Sequence, residues 1–168
     1  MSDLNVITAE GVAGQRLVVR ADLNAPVQGG AVSDATRIER FAKGIKPLLE
    51  AGARITVLSH FGRPKGQRNM EFTIAPIKPA LEAALGRSVN FADDCIGAAA
   101  VSASEGLGNG EILLCENLRF HAGEEANDAG FAAELAKLGD IYVNDAFSTA
   151  HRAHASTAAI ASLLPAYA

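Results

Sequence analysis

The stretch V-N-D-A-F-S-T-A-H-R-A-H at residues 143–154 decides the fold of this chain. An apolar run at residues 141–143 breaks at Asn144 into small and polar residues, and two histidines flank Arg152 within the last four positions. Ligands of α/β proteins bind in the crevice beyond the carboxyl ends of parallel strands. The pattern therefore predicts a buried strand that opens onto a ligand, with Arg152 as a binding cation. For this stretch alone, a turn with solvated charges is the alternative.

Apolar runs of the same kind alternate with segments of helical periodicity along the chain. Strands are predicted at residues 16–20, 54–58, 89–91, 111–114 and 141–143. Helices are predicted from Ser33 or Asp34 to Gly52, then at about residues 74–85, 96–103 and 129–138, and from about Ser156 to Pro165. Pro47 predicts a kink or an early last turn in the first helix. The alternation predicts one domain at residues 1–168, a Rossmann-like three-layer α/β/α sandwich with a parallel sheet.

Composition limits the possible partners. Hydrophobic residues make up 49% of the 168 residues, charged residues 20%, and the net charge is −4. A chain with this net negative charge is not expected to bind nucleic acid or an anionic membrane. It shows no signal sequence or membrane-spanning run, so a cytoplasmic location is predicted. Cys95 and Cys115 have no paired spacing and are predicted to be reduced, buried fillers.

The residues that follow the predicted strands indicate the ligand. They are Asp22, Asn24, His60, Arg63, Arg119 and Arg152, and Arg37 joins them from the start of the first helix. Four arginines and a histidine are thus predicted at one rim of the sheet of an acidic protein. Guanidinium groups bind carboxylate or phosphate bidentately, at about 1.5–3 kcal/mol for each charge-assisted bond. The pattern predicts a small polyanion with phosphate, carboxylate and hydroxyl groups, such as a phosphorylated hydroxy acid.

Four segments also carry a resemblance to a known family. They are V-R-A-D-L-N-A-P-V at residues 19–27, S-H-F-G-R-P-K-G at 59–66, E-N-L-R-F-H-A-G-E-E at 116–125 and the stretch at 143–154. In order and spacing the whole chain resembles the amino-terminal domain of phosphoglycerate kinase. The family has two Rossmann-like domains joined by a hinge, of which the first binds 3-phosphoglycerate and the second binds Mg-ATP or Mg-ADP. The chain resembles only the first and contains no G-x-x-x-x-G-K-[ST] segment, so the resemblance implies that this chain binds no nucleotide cofactor.

The resemblance implies a role for each rim residue. Asp22 and Asn24 would contact the hydroxyl and carboxylate region of 3-phosphoglycerate. Arg37 would contact the carboxylate and stabilise the transferred phosphoryl group, which makes it the catalytic residue. The basic patch for the 3-phosphate would consist of His60, Arg63, Arg119 and Arg152. Ser148 departs from the glycine usual in the family and would be strained if the backbone there needs a positive φ angle.

Two functions of different classes remain open. In the first, the chain is the substrate half of a glycolytic kinase that forms 1,3-bisphosphoglycerate, with a carboxy-terminal nucleotide domain as its partner. In the second, it is a stand-alone anion-binding module without catalysis. A Rossmann dehydrogenase is disfavoured because residues 22–34 contain no G-x-G-x-x-G motif. The family implies a monomer, but the chain without the family's returning terminal helix is expected to expose apolar surface, which would lead to hydrophobic-dye binding or to self-association.

No metal site is predicted. His151 and His154 have a spacing that could serve one metal, but no third ligand is evident. Glu116, Glu124 and Glu125 are predicted to be structural, the last two through the dipole of a following helix.

Overall fold

One sheet organises the part of the chain that the computed structural model describes, residues 7–145 and 153–167. The strands are β1 (Arg16–Ala21), β2 (Val27–Gln28), β3 (Ala31–Val32), β4 (Arg54–Leu58), β5 (Asn90–Ala92), β6 (Ile112–Cys115), β7 (Ile141–Asp145) and β8 (Ala166–Tyr167). Six of them pair in the order β5-β6-β4-β1-β7-β8. Every neighbouring pair in this sheet is parallel, whereas β2 and β3 form a separate antiparallel hairpin.

Helices connect the strands. They are α1 (Thr36–Glu50), α2 (Ile77–Leu85), α3 (Ala98–Glu105), α4 (Ala122–Glu125) and α5 (Ala129–Ala136). Single 3₁₀ turns lie at Met70–Phe72, Leu118–Phe120 and Ile160–Ser162, and a π-helical segment lies at Ala155–Ala159.

The core has two parts because successive strand residues point to opposite faces of the sheet. From β1, Leu17 and Val19 join a cluster that contains Ile38 of α1. The next residue, Val18, joins the second cluster, which contains Leu135 of α5. Helices therefore cover both faces, and the predicted three-layer α/β/α sandwich with a parallel sheet is confirmed.

The five predicted strands are confirmed with small changes of boundary, and the structure adds three that were not predicted. β2 and β3 turn at Gly29 and Gly30, whose φ angles of 60° and 78° suit a tight hairpin. β8 follows Pro165, where the last predicted helix was expected to end. Strands of two residues carry too little alternation to be detected from sequence.

Helix boundaries differ where side chains or glycines take over the backbone hydrogen bonds. α2 begins at Ile77 rather than near Ile74, because Pro76 disfavours the helical conformation at the residue before it. The Ile74 amide, which lies outside the helix, donates to the Glu116 carboxylate at 2.7 Å. α3 begins after Gly97, whose φ of 98° is incompatible with a helix. The expected early last turn at Pro47 is wrong, since α1 continues to Glu50.

Candidate functional site

The candidate site lies at the carboxyl edge of the sheet. Because the six strands are parallel, the loops that follow β1, β4 and β6 emerge at the same edge. These loops carry Asp22 and Asn24, then His60 and Arg63, then Arg119, at the place the sequence predicted. Hydrogen bonds connect most of these residues to one another, as follows.

Arg37 and Asp22 form the first connection. The Nη1 of Arg37, on the first turn of α1, lies 3.1 Å from both carboxylate oxygens of Asp22. The Arg37 side chain is 52% exposed and that of Asp22 17%. The carboxylate thus holds the guanidinium at the rim while about half of the cation faces solvent.

Gly62 joins Asn24 to Arg119. The Asn24 amide donates to the Asp22 carboxylate at 3.3 Å, and the Asn24 side-chain oxygen accepts from the Gly62 amide at 3.0 Å. The Gly62 carbonyl in turn accepts from Nη1 of Arg119 at 3.4 Å. The NH₂ group of the Asn24 side chain would offer a donor to a ligand.

Gly62 cannot be replaced without strain. Its φ is +61°, and a Cβ atom there would lie 2.4 Å from a ring carbon of Phe72. Both facts require glycine, so the backbone that links Asn24 to Arg119 depends on this residue.

Asn117 is a site residue that the sequence analysis missed. Its side-chain oxygen accepts from the amides of Phe61 and Arg119 at 3.1 and 3.0 Å. Its NH₂ group donates to the carbonyls of Phe61 and Phe72 at 2.6 and 2.9 Å. One buried amide therefore fixes the loop after β4 against the loop after β6, and with them the two parts of the rim.

Arg20 is a second missed residue. It is fully buried near the end of β1 and donates from Nη2 to Nδ1 of His60 at 2.9 Å. A guanidinium can only donate, so Nδ1 accepts and the neutral His60 ring carries its proton on Nε2. Burial lowers the pKa of Arg20, while the Glu124 carboxylate opposes that shift. The sequence signal was a charged residue directly after the apolar run Leu17, Val18 and Val19 within one strand.

Glu124 anchors Arg20 from the other side. The Nε of Arg20 lies 4.0 Å from the Glu124 carboxylate and donates to Oγ of Ser156 at 2.8 Å. Glu124 accepts from the Ser156 amide at 2.8 Å and from its hydroxyl, and the Tyr142 hydroxyl donates to the Ser156 carbonyl at 2.6 Å. This buried network ties β1, α4 and the π-helical segment together behind the rim.

Glu116 and Glu124 are buried, and their carboxylates accept hydrogen bonds from neighbouring segments. Glu124 serves the buried network, and Glu116 accepts from the amides of Ile74 and Asn117 and from the Thr73 hydroxyl. Both oxygens of each carboxylate therefore already accept hydrogen bonds from the protein. Glu124 and Glu125 lie inside the short α4 rather than at the start of the following helix, and the exposed Glu125 is the last residue of α4, so the expected helix-dipole role is not supported.

The remaining predicted residues differ in how the structure places them. Arg63 follows Gly62 on the same loop, is exposed, and forms no side-chain hydrogen bond or ion pair with the described residues. Arg119 is buried, at 3% exposure, as is His60 at 6%. Arg152 and Ser148 lie outside the described residues.

Two clefts adjoin the rim on either side of Asn24. One, of about 380 Å³, is lined by Asn24, Pro26, Asp34, Thr36, Arg37 and Arg40. The other, of about 510 Å³, includes Asn24, Phe61, Gly62 and Phe72 among its lining residues. A small anion in the first cleft would meet the exposed guanidinium of Arg37, and the loop after β4 borders the second. The arrangement is suited to binding a small polyanion by charge-assisted hydrogen bonds.

Among the described residues, no helix combines the length and the apolar character that are needed to cross a membrane.

The sequence profile of the family described as "Phosphoglycerate kinase" matches residues 7–168. Proteins named phosphoglycerate kinase from Methylobacterium radiotolerans and Allorhizobium ampelinum are 56% and 58% identical, over 95% and 94% of this chain. These matches cover 40% and 39% of the relatives, so the chain spans about two-fifths of their length.

Solved structures give the same result. The phosphoglycerate kinase of Coxiella burnetii superposes with a TM-score of 0.85 at 34% identity, covering 98% of this chain and 41% of that one. The enzyme from Pyrococcus horikoshii superposes with a TM-score of 0.87 at 28% identity, covering 98% and 42%.

Proposed function

Because this chain belongs to the phosphoglycerate kinase family, we propose that it is the half of such a kinase that binds 3-phosphoglycerate. The complete reaction moves a phosphoryl group between ATP and the carboxylate of 3-phosphoglycerate, with 1,3-bisphosphoglycerate as the phosphorylated form. The chain corresponds to about 40% of its relatives, so the remainder of such a protein would supply the nucleotide site.

The observation that carries this proposal is the hydrogen-bonded rim. Arg37, Asp22, Asn24, Gly62 and Arg119 are connected in that order by contacts of 3.0–3.4 Å. This series of hydrogen bonds fixes cations, an amide and backbone groups at one edge of the sheet before any ligand binds. Preorganised donors lose little entropy on binding, which favours a small, rigidly held anion.

Each part of the substrate has a matching group. The 3-phosphate would be bound by His60, Arg63, Arg119 and Arg152. Asn24 and Asp22 would contact the hydroxyl and carboxylate region. His60 suits its role because Arg20 holds its Nδ1, so that the ring proton resides on Nε2 as a donor.

Arg37 is proposed as the catalytic residue. In phosphoryl transfer the charge is spread over three equatorial oxygens, and a positioned guanidinium stabilises it. The half-exposed Arg37 can contact the substrate carboxylate while Asp22 restrains its direction. Asp22 would thus act partly by positioning Arg37.

Mg-ATP would be bound by the remainder of the kinase rather than by this chain. The sequence contains no G-x-x-x-x-G-K-[ST] segment, and the loop after β1 contains no G-x-G-x-x-G segment. We therefore propose that the 168-residue chain binds 3-phosphoglycerate without phosphorylating it at a useful rate. Holding both reactants together is worth about 7–11 kcal/mol of the barrier, and this advantage is lost when the donor is free in solution.

Calorimetric titration with 3-phosphoglycerate tests the binding site. Arg63→Ala and Arg119→Ala are each expected to weaken binding by about 1–3 kcal/mol, and added salt should weaken it further. Arg87→Ala is the matched control, because Arg87 donates to the Gly110 carbonyl at the opposite edge of the sheet. Circular dichroism of each variant would verify folding. Unchanged affinity in both rim variants would refute the site.

A separate assay tests the division of labour. ADP formation is measured with Mg-ATP and 3-phosphoglycerate, first with this chain alone and then after addition of a separately made nucleotide domain from a relative. Weak turnover that depends on Arg37 is expected only in the second mixture, since untethered domains must meet by concentration. Arg37-dependent turnover by the chain alone would overturn the division. Binding without turnover in any mixture would favour the anion-binding module.

A further inference from the structure

A second cluster of chemically active side chains lies away from the basic rim, at the ends of β5 and β6. It consists of Asp94, Cys95 and His121, whose nearest ligand atoms all lie within 4.8 Å of one another. Asp94 and Cys95 follow β5, and His121 follows the 3₁₀ turn after β6. Because β5 and β6 are parallel neighbours, the two loops emerge side by side. From this geometry we propose that Asp94, Cys95 and His121 form a binding site for a thiophilic divalent metal ion such as Zn²⁺.

The donor set fits zinc. Zn²⁺ is bound by thiolate, imidazole and carboxylate, and sites with three protein ligands keep a fourth position for water. From the bond lengths in such sites, donor atoms lie roughly 3.3–3.7 Å apart. In the structure Nε2 of His121 lies 2.7 Å from Oδ1 of Asp94. Side-chain rotations that move the donor atoms by roughly 1 Å would separate this pair and place the nitrogen, the oxygen and the Cys95 sulfur at three corners of a tetrahedron around the metal ion.

The surroundings hold the donors in place. Oδ1 of Asp94 also accepts from the amides of Cys95 and Ile96 at 2.7 and 3.4 Å, which orients the carboxylate. The His121 ring packs against Phe131 with ring centroids 5.1 Å apart. The Cys95 thiol is fully buried and forms no hydrogen bond with the described residues, so it has no competing structural bond to lose.

The site is also accessible. Asp94 and His121 are partly exposed, with side chains 41% and 29% accessible. A cleft of about 490 Å³ opens beside His121 and is also lined by Ile96, Asp128 and Glu134, among others. A metal ion and its water could enter from this side, while Cys95 supplies the sulfur from the interior.

This site was not expected from the sequence. Asp94 and His121 lie 27 positions apart, and neither cysteine has a partner at metal-binding spacing. Only the pairing of β5 with β6 brings the donors together. The site shares no residue with the rim, and its sulfur and imidazole donors favour Zn²⁺ or Co²⁺ over the Mg²⁺ that accompanies nucleotides.

Titration of the chelator-treated chain with Co²⁺ tests the proposal. A thiolate ligand is expected to give a sulfur-to-cobalt charge-transfer band in the near ultraviolet, together with visible d–d bands. Zn²⁺ should abolish these bands in stoichiometric amounts, whereas an excess of Mg²⁺ should not. Zn²⁺ should also raise the melting temperature, because it binds only the folded arrangement of the two loops.

Variants distinguish the three ligands from other thiols. Cys95→Ser should remove the charge-transfer band, while His121→Asn and Asp94→Asn should keep it and weaken Co²⁺ binding at least about 10-fold. Cys115→Ala, which removes the other buried thiol, should bind like the parent chain. The proposal is overturned if the parent chain shows no band. It is equally overturned if the band survives in Cys95→Ser, or if His121→Asn binds Co²⁺ with unchanged affinity.

Discussion

Replacing Glu124 with glutamine is expected to destabilise the folded chain by about 3–5 kcal/mol, the usual cost of removing one partner of a buried ion pair. The substitution keeps the shape of the side chain and removes only its charge. Glu124 is fully buried, so no solvent replaces the lost interaction. Its neighbour Glu125 is exposed and provides a matched control at the next position.

The magnitude follows from the contacts of the carboxylate. Glu124 accepts from the amide and the hydroxyl of Ser156 and lies 4.0 Å from Nε of Arg20. Hydrogen bonds to a charged group are worth about 1.5–3 kcal/mol, and glutamine offers one acceptor where the carboxylate has two. The buried Arg20 would also lose the anion that offsets its desolvation. A domain stable by about 5–15 kcal/mol would therefore lose a large share of its stability.

Urea unfolding followed by circular dichroism measures this effect. Glu125→Gln is expected to change the free energy of unfolding by less than about 0.5 kcal/mol. The double variant Arg20→Met, Glu124→Gln should lose less free energy of unfolding than the sum of the losses in the two single variants. Each single variant leaves one buried charge without its partner, whereas the double variant removes both charges. The reasoning is refuted if Glu124→Gln costs less than about 1 kcal/mol. A loss of stability in the double variant equal to the sum of the two single losses would refute it as well.

Three further expectations concern stability, thiol reactivity and pH. Gly62→Ala should cost about 1–2 kcal/mol for the left-handed conformation plus a steric penalty, because the new Cβ would lie 2.4 Å from a ring carbon; Gly29→Ala, with φ +60° and open space, should lose only the first part, and equal losses in urea unfolding would contradict the clash. Burial raises the pKa of Cys115 to about 12 and that of Cys95 well above its usual range. An aromatic disulfide reagent should therefore react with both thiols only after unfolding, and rapid reaction with the metal-free native chain would contradict this. Burial lowers the pKa of His154 below 6.5, so the unfolded chain binds a proton at this residue at a higher pH than the folded chain does. The free energy of unfolding should therefore fall as the pH drops through 6.5. His154→Gln should reduce this dependence of stability on pH, and an unchanged dependence would disprove the role of His154.

The sheet could be predicted because its strands are strongly patterned. The run that contains Leu17, Val18 and Val19 is apolar on both faces, as a central parallel strand requires, and the glycines at 52 and 86 punctuate the helices. The hairpin at β2 and β3 and the terminal β8 escaped because two residues show no alternation. The start of α2 was predicted about three residues early, although Pro76 stands directly before its first residue.

For the candidate site, the sequence identified residues that follow strands but not the residues that hold them. Asp22, Asn24 and the loop of His60 are carried by the ends of strands, so strand order alone places them together. Arg20 was read as part of a strand, and its bond to His60 depends on the pairing of β1 with β4. The roles of Asn117 and of the cluster at Cys95 also depend on which loops become neighbours in space, and local periodicity does not contain that information.

Nuclear magnetic resonance titration of the ¹⁵N-labelled chain with 3-phosphoglycerate would locate the ligand. The proposed site predicts saturable shifts at the Gly62 and Arg119 amides and at the Asn24 side-chain amide, because these groups form the connected rim. The amides of Gly52 and Gly110, which precede β4 and β6 at the opposite edge, should remain nearly unchanged. The absence of saturable shifts, or a response strongest at Gly52 and Gly110, would contradict the assignment of this rim as the 3-phosphoglycerate site.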